Sequence, residues 1–153
     1  MGPRMKALSP FVDLNQIVKK TPIQVQRYLG RLSELKPDIY RSLGGKASRV
    51  KIGKYRKGLF EITFIENGAR YIDVCFEGID PDYDRYSYTS DTRTLLGNLG
   101  LDGNASAYFS NQFVTILRGL SGIYEISMFP GPKNRISYAQ VMTDRKYEQE
   151  NNR

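Results

Sequence analysis

The chain contains no histidine, no tryptophan and a single cysteine, Cys75. Without histidine it has no imidazole base, no imidazole metal ligand and no Ser-His or Cys-His nucleophile pair. One cysteine excludes an intramolecular disulfide and a zinc finger. Cys75 stands among strand-forming residues, a setting more typical of a packed side chain than of a reactive thiol.

The sequence also lacks an apolar run near 20 residues and a signal peptide, so we expect a cytoplasmic protein. It has no phosphate-binding glycine loop and no dinucleotide fingerprint. A metal-dependent nuclease needs several acidic side chains that converge on one site. Asp73, Glu77 and Asp82 could supply them, but nothing in their spacing requires it. These absences predict a protein that is not an enzyme and that takes no cofactor and no metal.

Positive charge is concentrated in the first third of the chain. The net charge is +7 over 153 residues, but residues 1–58 hold 14 Lys/Arg against three Asp/Glu, whereas residues 59–153 hold nine against 13. A net charge of +11 beside one of −4 creates a directed field that suits a polyanion or an acidic protein surface. The alternative is that the lysines serve only solubility.

The region 46–77 has the strongest strand pattern in the sequence. Six apolar residues alternate with more polar ones in two runs, at Phe60, Ile62, Phe64, Ile72, Val74 and Phe76. Asn67-Gly68 between the runs predicts a hairpin. A two-residue turn there would put Asp73 on the apolar face. We therefore expect a bulge or longer loop near Gly68, with all six apolar side chains on one face and Phe64 opposite Ile72.

A third strand is expected at about residues 48 to 53, with Arg49 and Lys51 on one of its faces. Residues 53–58 then predict a cationic turn with one aromatic side chain. Lysines and arginines in this region would neutralise phosphates, and Tyr55 would stack on a base. The candidate nucleic-acid-binding residues are Arg27, Arg31, Lys46, Arg49, Lys51, Lys54, Tyr55, Arg56 and Lys57.

Two helices are predicted before this sheet. The first is short and covers part of residues 9–20. Thr21 and Gln24 form a capping box for the second, which continues to about Lys36 and ends at Pro37. The pair resembles a DNA-binding helix-turn-helix, but the turn comes about three residues too early for that motif. A plain helical hairpin that covers the sheet is the preferred interpretation.

The region that follows the hairpin is acidic. Residues 77–84 alternate aspartates as a calcium loop does, but the glycine and glutamate of an EF-hand are missing, which favours a solvated turn. Residues 85–89 form a short predicted strand, where Tyr86 and Tyr88 either stack on bases or pack on a neighbouring strand.

The second half predicts a short helix from about Ser90 to Gly100. Helical spacing of Phe109, Phe113 and Leu117 then predicts a long helix near 105–118. Strands are expected at 123–129 and 136–142.

These elements predict an α+β domain at 9–142, between a basic lead (1–8) and a polar tail (143–153). It would combine an N-terminal helical hairpin, an antiparallel sheet of five or six strands and one long helix on the sheet. The leading hypothesis is a non-catalytic, sequence-independent nucleic-acid-binding or regulatory protein that uses the basic strand-turn-strand surface. The alternative is an assembly subunit, with homo-oligomers, or an inhibitor that docks on an acidic protein surface.

Overall fold

A computed structural model describes residues 12–41, 44–76, 92–101, 105–131 and 136–148. The described residues form eight strands, two α-helices and two short 3-10 helices. The strands are β1 (Leu32–Arg41), β2 (Ala47–Tyr55), β3 (Phe60–Ile65), β4 (Gly68–Cys75), β5 (Ser106–Ser110), β6 (Thr115–Arg118), β7 (Glu125–Pro130) and β8 (Ile136–Met142). The α-helices are α1 (Pro22–Leu29) and α2 (Thr92–Asn98), and the 3-10 helices are Leu14–Gln16 and Arg145–Tyr147.

All eight strands join one antiparallel sheet in the order β1-β2-β3-β4-β8-β7-β6-β5. Each half of the chain is an α-helix followed by a four-stranded meander, and the last strands of the two meanders pair at the centre. If β1 to β4 are exchanged with β5 to β8, the strand order is the same when it is read from the opposite edge. The sheet therefore has a twofold arrangement in which the hairpins β1–β2 and β5–β6 form its two edges.

The main core lies on the face of the sheet that the helices cover, which we call the helical face. Val25 and Leu29 of α1 and Leu95 and Leu96 of α2 are buried there over the central strands. The other face, the bare face, has a smaller cluster formed by Tyr40, Val50, Ile65, Tyr71 and Tyr147. Burial on both faces near β3 and β4 makes the centre of the sheet its most constrained part.

Local sequence signals determine where α1 begins and ends and allow Asp13 to pack against Gly100, which follows α2. Thr21 accepts a hydrogen bond from the Gln24 amide, and its own amide donates to the Gln24 side chain, so the predicted capping box forms. The helix ends at Gly30, whose φ of 98° favours glycine. Gly100 also has positive φ, and a Cβ there would lie 2.7 Å from Cα of Asp13. Only glycine allows this close approach.

The predicted facing of the central hairpin is confirmed, although its register is different. Ile62 pairs with Ile72, and Phe60 pairs with Val74, two residues from the predicted partners. The turn is Glu66-Asn67, both in the left-handed region, and a bulge follows where the register shifts between Thr63 and Phe64. The bulge restores the apolar side chains to the helical face after a two-residue turn.

The predicted N-terminal helical hairpin is wrong. Among the described residues before α1, from residue 12 onward, only a 3-10 turn forms, and residues 32–41 form strand β1. The spacing of Leu32, Leu35 and Ile39 imitates a helix, but Leu35 and Ile39 are 43% and 63% exposed. Pairing with β2 along the strand outweighs this local pattern, and Pro37 is incompatible with a helix interior.

The predicted long helix at 105–118 is wrong as well, because these residues form β5 and β6. Phe109 and Phe113, which defined its apolar face, are 48% and 69% exposed, and Leu117 alone of the predicted stripe is fully buried within this hairpin. The side chain of Asn111 accepts hydrogen bonds from the amides of Phe113 and Val114 and closes the hairpin turn. The sheet has eight strands, so the prediction of five or six is also corrected.

Other predicted elements are present. The third strand is β2, the short helix is α2, and the last two strands are β7 and β8. Within the predicted polar tail, Tyr147 is buried in the bare-face cluster. The acidic turn at 77–84 and the strand at 85–89 lie outside the described residues.

Candidate interaction surface

The β1–β2 hairpin extends beyond the rest of the sheet. β3 pairs with β2 only over Lys51–Tyr55, whereas β1 continues to pair with β2 as far as Ala47. Residues 38–41 and 47–50 thus form a two-stranded projection, which we call the arm.

One face of the arm is held firmly on the domain. Tyr40 and Val50 point to the bare face and are 4% and 5% exposed, packed with Ile65, Tyr71 and Tyr147. The Tyr40 and Tyr71 rings are 5.9 Å apart, and the Tyr71 hydroxyl donates to the Tyr147 carbonyl at 2.6 Å. These contacts give the projecting strands a defined position, because buried aromatic groups contribute strongly to packing.

On the helical side, the arm and the adjoining residues Leu35, Pro37 and Lys51 present exposed side chains. Register pairs Pro37 with Lys51 and Ile39 with Arg49, so apolar and cationic side chains alternate across the two strands. Pro37 and Arg49 line two adjacent depressions of about 380 and 470 Å³. We call this set the arm face; its residues are Leu35, Pro37, Ile39, Arg41, Arg49 and Lys51.

The cations of the arm face form no ion pair among the residues the structure describes, a property they share with other exposed cations such as Lys57, whereas five cations elsewhere in those residues are paired. Lys36 and Lys54 pair with Glu34 at 3.1 and 3.6 Å. Arg118 pairs with Glu125 at 3.0 Å. Arg41, Arg49 and Lys51 are exposed and form no such pair among the described residues. The arm face therefore combines exposed apolar side chains with cations that form no ion pair within the described residues, and Glu66 and Asp38 are the acids that line the two depressions.

The nine predicted nucleic-acid-binding residues do not gather on one surface. Lys46, Arg49 and Lys51 lie at or near the arm. The remaining cations of the helical side and turns lie at the opposite end of β2; they are Arg27, Arg31, Arg56 and Lys57. Tyr55 lies six positions after Arg49 in β2, roughly 20 Å along a strand. The predicted single track is two separate groups.

Two predicted contacts are incompatible with the structure. Tyr55 is fully buried in the main core, where burial raises the pKa of its hydroxyl, so its ring is not available to stack on a base. Lys54 points to the face opposite Lys51 and pairs with Glu34. Alternation along β2 decides both positions, because residues of odd and even number face opposite sides.

Arg56 has a structural role at the β2–β3 turn. Its Nε donates to the Leu29 carbonyl at the end of α1 at 3.1 Å, and its guanidinium lies over the Phe60 ring. Arg56, Lys57 and Gly58 all have positive φ, between 49° and 86°. The hydrogen bond to a carbonyl of the last helical turn accounts for the arginine here.

The sequence does not mark four residues of the arm face as surface candidates, because their spacing predicts a helix and its end. They are Leu35, Pro37, Ile39 and Arg41. The alternation in residues 48–52 is the signal in the sequence that bears on this surface. It correctly predicts strand β2, and because β2 needs a neighbouring strand, it indicates that another segment pairs beside Arg49 and Lys51.

A polar row crosses the centre of the bare face on four neighbouring strands, at Glu61, Asp73, Gln140 and Ser127. Gln140 Nε2 donates to Asp73 Oδ1 at 3.1 Å. Burial raises the pKa of Asp73, and hydrogen bonds from Tyr138 and Gln140 act in the opposite direction. Burial and the neighbouring Asp73 raise the pKa of Tyr138. Within this row, Asp73 and Gln140 are therefore hydrogen-bonded to each other across neighbouring strands.

No cluster of three or more acids or thiols that could hold a metal ion occurs among the residues the structure describes. Within the same residues, neither α-helix has the length and apolar character that crossing a membrane requires.

Comparisons with known proteins give a fold relationship without a family. No family model and no curated protein matches the sequence. A cysteine-rich secretory protein from Staphylococcus aureus is similar in structure, with a TM-score of 0.53, 8% identity and coverage of 94% of this chain and 52% of that chain. An extracellular protein containing an SCP domain from Bacillus anthracis gives a TM-score of 0.48 and 12% identity, over 95% of this chain and 50% of that chain.

The likeness to the Staphylococcus aureus protein shows a shared fold. This chain spans about half the length of the two structures that it matches. The Staphylococcus aureus protein is described as secretory, which conflicts with the expected cytoplasmic localisation, and that expectation is withdrawn. Its description does not concern nucleic acid, so the description of this chain as a DNA- or RNA-binding protein has no support from it.

Proposed function

We propose that this protein is a non-catalytic binding domain that docks on an acidic protein surface through the arm face. The observation that carries the proposal is the exposure of Ile39 and Leu35 beside Arg49 and Lys51 on strands whose other side is anchored. Stable protein interfaces combine an apolar centre with a charged rim, and arginine is enriched in them. A partner with apolar side chains surrounded by carboxylates complements this surface.

The composition of the arm face favours protein over nucleic acid as the partner class. Single-stranded nucleic acids are bound on aromatic platforms, but the described residues of the arm face are aliphatic or cationic and Tyr55 is buried. The candidate phosphate contacts are divided between two ends of β2. An apolar centre also adds nothing to phosphate binding, which is electrostatic.

The partner docks on the arm face rather than adding a strand to the outer edge of β1. Pro37 has no N–H to donate. The next amide on the same side, that of Ile39, donates to Asp38 Oδ1 at 2.7 Å. Pro37 and Asp38 thus remove two successive hydrogen-bond donors from the outer edge of β1, which is how proteins prevent unwanted strand pairing.

Peptide selection on the intact domain tests the proposal. Random displayed peptides are selected at about 150 mM salt, and the enriched peptides are titrated by fluorescence anisotropy beside an oligo-dT probe. We expect acidic peptides with apolar residues, and affinities that Ile39→Ser or Arg49→Glu weakens by at least about tenfold.

Matched control variants separate this surface from general positive charge. Ile23 on α1 is 65% exposed, as Ile39 is 63% exposed, and Lys57 is an exposed cation at the other end of β2. Ile23→Ser and Lys57→Glu should change peptide affinity less than about twofold. Peptides that respond equally to Arg49→Glu and Lys57→Glu and not to Ile39→Ser would refute the proposal. Oligo-dT binding with that same pattern would favour the nucleic-acid hypothesis.

A further inference from the structure

A polar depression of about 360 Å³ lies beside helix α1. Its walls come from the end of the first 3-10 helix, from the linker before α1 and from α1 itself. Within α1, Gln24, Arg27 and Tyr28 lie three and four positions apart and therefore share one face of the helix. We call this site the α1 depression; its lining residues are Gln16, Lys20, Gln24, Arg27 and Tyr28.

The α1 depression is positively charged, and its charge is not neutralised within its lining. Lys20 and Arg27 contribute two cations, and the described residues that line the depression include no Asp or Glu. The two depressions of the arm differ, because an acid lines each of them. Neither Lys20 nor Arg27 belongs to an ion pair among the described residues. Two cations in one concave site without a carboxylate favour an anionic ligand.

The hydrogen bonds that the lining residues already form leave donors for a ligand. Oε1 of Gln24 accepts from the Thr21 amide at 2.9 Å, so the Nε2 group of Gln24 remains to donate. The Tyr28 hydroxyl oxygen accepts from the Asp13 amide at 2.8 Å, so its own proton remains to donate. Lysine and arginine side chains only donate. Four of the lining side chains therefore offer donors.

The backbone around the α1 depression is held in place without a ligand. The Lys19 amide donates to the Ala69 carbonyl at 2.9 Å, and the Ala69 amide donates to the Lys20 carbonyl at 2.8 Å. The linker before α1 is thereby fixed on β4, and the capping box fixes the first turn of the helix. A site that is already ordered loses less conformational entropy when a ligand binds.

We propose that the α1 depression binds the dianionic phosphate group of a small molecule. Such a group has two negative charges and three strong acceptor oxygens, which match two cations and additional neutral donors. The arginine fork can contact two phosphate oxygens at once, and lysine adds a point charge. A carboxylate or a phosphodiester has one negative charge and leaves a cation uncompensated. The proposal is independent of the arm face, because the two sets of lining residues do not overlap.

NMR titration of the isotope-labelled chain with methyl phosphate tests the site, at about pH 7.5 and a constant ionic strength of about 150 mM. We expect saturable amide shifts within residues 16–28 and a dissociation constant on the order of 1 mM or lower. Dimethyl phosphate and acetate, which have one charge, should bind at least about tenfold more weakly. Inorganic phosphate is titrated in parallel. Equal affinity for it indicates free phosphate as the ligand, and lower affinity indicates a phosphate monoester.

Gln24→Glu is the most informative variant, because glutamate retains the capping box and adds a negative charge to the depression. It should raise the dissociation constant for methyl phosphate at least about tenfold. Gln26→Glu is the matched control, since it makes the same change at an exposed residue of the same helix outside the lining. It should change the constant less than about threefold. Arg27→Gln should raise the constant at least about fivefold.

Circular dichroism and thermal unfolding establish that each variant is folded. The absence of saturable shifts up to about 20 mM methyl phosphate overturns the proposal. Equal binding of dimethyl phosphate overturns it as well, because that result indicates general attraction of anions to a chain with a net charge of +7. The same conclusion follows if Gln26→Glu weakens binding as much as Gln24→Glu.

Discussion

The two edge hairpins occupy equivalent positions in the twofold sheet and differ in chemistry. The β1–β2 hairpin ends in an arm with aliphatic and cationic side chains, and its outer edge is blocked by Pro37 and Asp38. The β5–β6 hairpin instead exposes the aromatic side chains of Tyr108, Phe109 and Phe113, and its β5 ladder is interrupted by a register shift between Ala107 and Phe109. One topology thus supports two edges with different exposed side chains, because exposed residues are not constrained by packing.

The hairpins are also anchored differently. β5–β6 is attached through Leu117, which is fully buried in the main core. The arm rests on Tyr40 and Val50 in the small bare-face cluster, which depends on Tyr147 near the end of the described chain. The arm is therefore coupled to the C-terminal 3-10 turn, whereas β5–β6 is coupled to the helices through the core.

The largest expected effect is at the anchor of β5–β6. Leu117→Ala should lower the free energy of unfolding by about 3 kcal/mol, because it leaves a cavity in the main core. Phe113→Ala in the same hairpin should change it by less than about 0.5 kcal/mol. Urea denaturation measures both. Similar values for the two variants would show that the exposed aromatic side chain is packed in the folded protein.

The anchor of the arm should have the next largest effect. Tyr40→Ala removes the ring that packs on Tyr71 and should cost about 2 kcal/mol. Hydrogen exchange should accelerate in residues 37–41 and 47–50 more than in β7. Uniform acceleration through the sheet would contradict an independently anchored arm. Ile39→Ala serves as the control for the exposed face of the same strand.

A smaller effect is expected at Asp144, which holds the C-terminal turn that supports the arm. Its carboxylate accepts from Thr143 at 2.8 Å and contacts Arg70 at 3.2 Å and Lys19 at 3.5 Å. Burial opposes ionisation, but these partners together lower the pKa of Asp144. Asp144→Ala should destabilise the protein at pH 7 by about 1 kcal/mol.

The pH dependence of this variant follows from the direction of the shift. A lowered pKa in the folded state stabilises the protein above the unfolded-state pKa, near 4, and the contribution is lost as pH falls through the folded value. The difference between Asp144→Ala and the unmodified protein should therefore be constant from pH 6 to 8 and shrink below about pH 4. A difference that persists in acid would point to packing instead.

The smallest change is expected at Asp73, midway between the hairpins. Its raised pKa means that the ionised form is disfavoured by folding, so the penalty applies above the folded-state pKa and disappears as pH falls below the ordinary aspartate range. Asp73→Asn retains an oxygen acceptor for Gln140 and should stabilise the domain at pH 7 by up to about 1 kcal/mol. Thermal unfolding at pH 7 and about pH 3 measures the gain, and a loss of stability at pH 7 would contradict it.

Sequence patterns succeeded where local chemistry and burial agree. The capping box at Thr21 places α1, and the alternation around Phe60 and Ile72 places the central strands with the correct side chains inward. They failed for β1 and for β5–β6, where apolar residues three and four apart imitated a helix. In both failures the misleading residues, such as Ile39 and Phe113, are exposed, so their spacing carried no information about the core.

The amino-acid sequence by itself determined the concentration of positive charge at the start of the chain, the absence of histidine chemistry, and the elements with caps or strict alternation. Tertiary structure alone decided how the cations divide between the two ends of β2, that Tyr55 is buried, and that Ile39 and Phe113 of the two edge hairpins face solvent. The physical reason is that strand pairing and burial depend on residues distant in sequence, and a pattern within one segment does not record which of its sides the rest of the chain will cover.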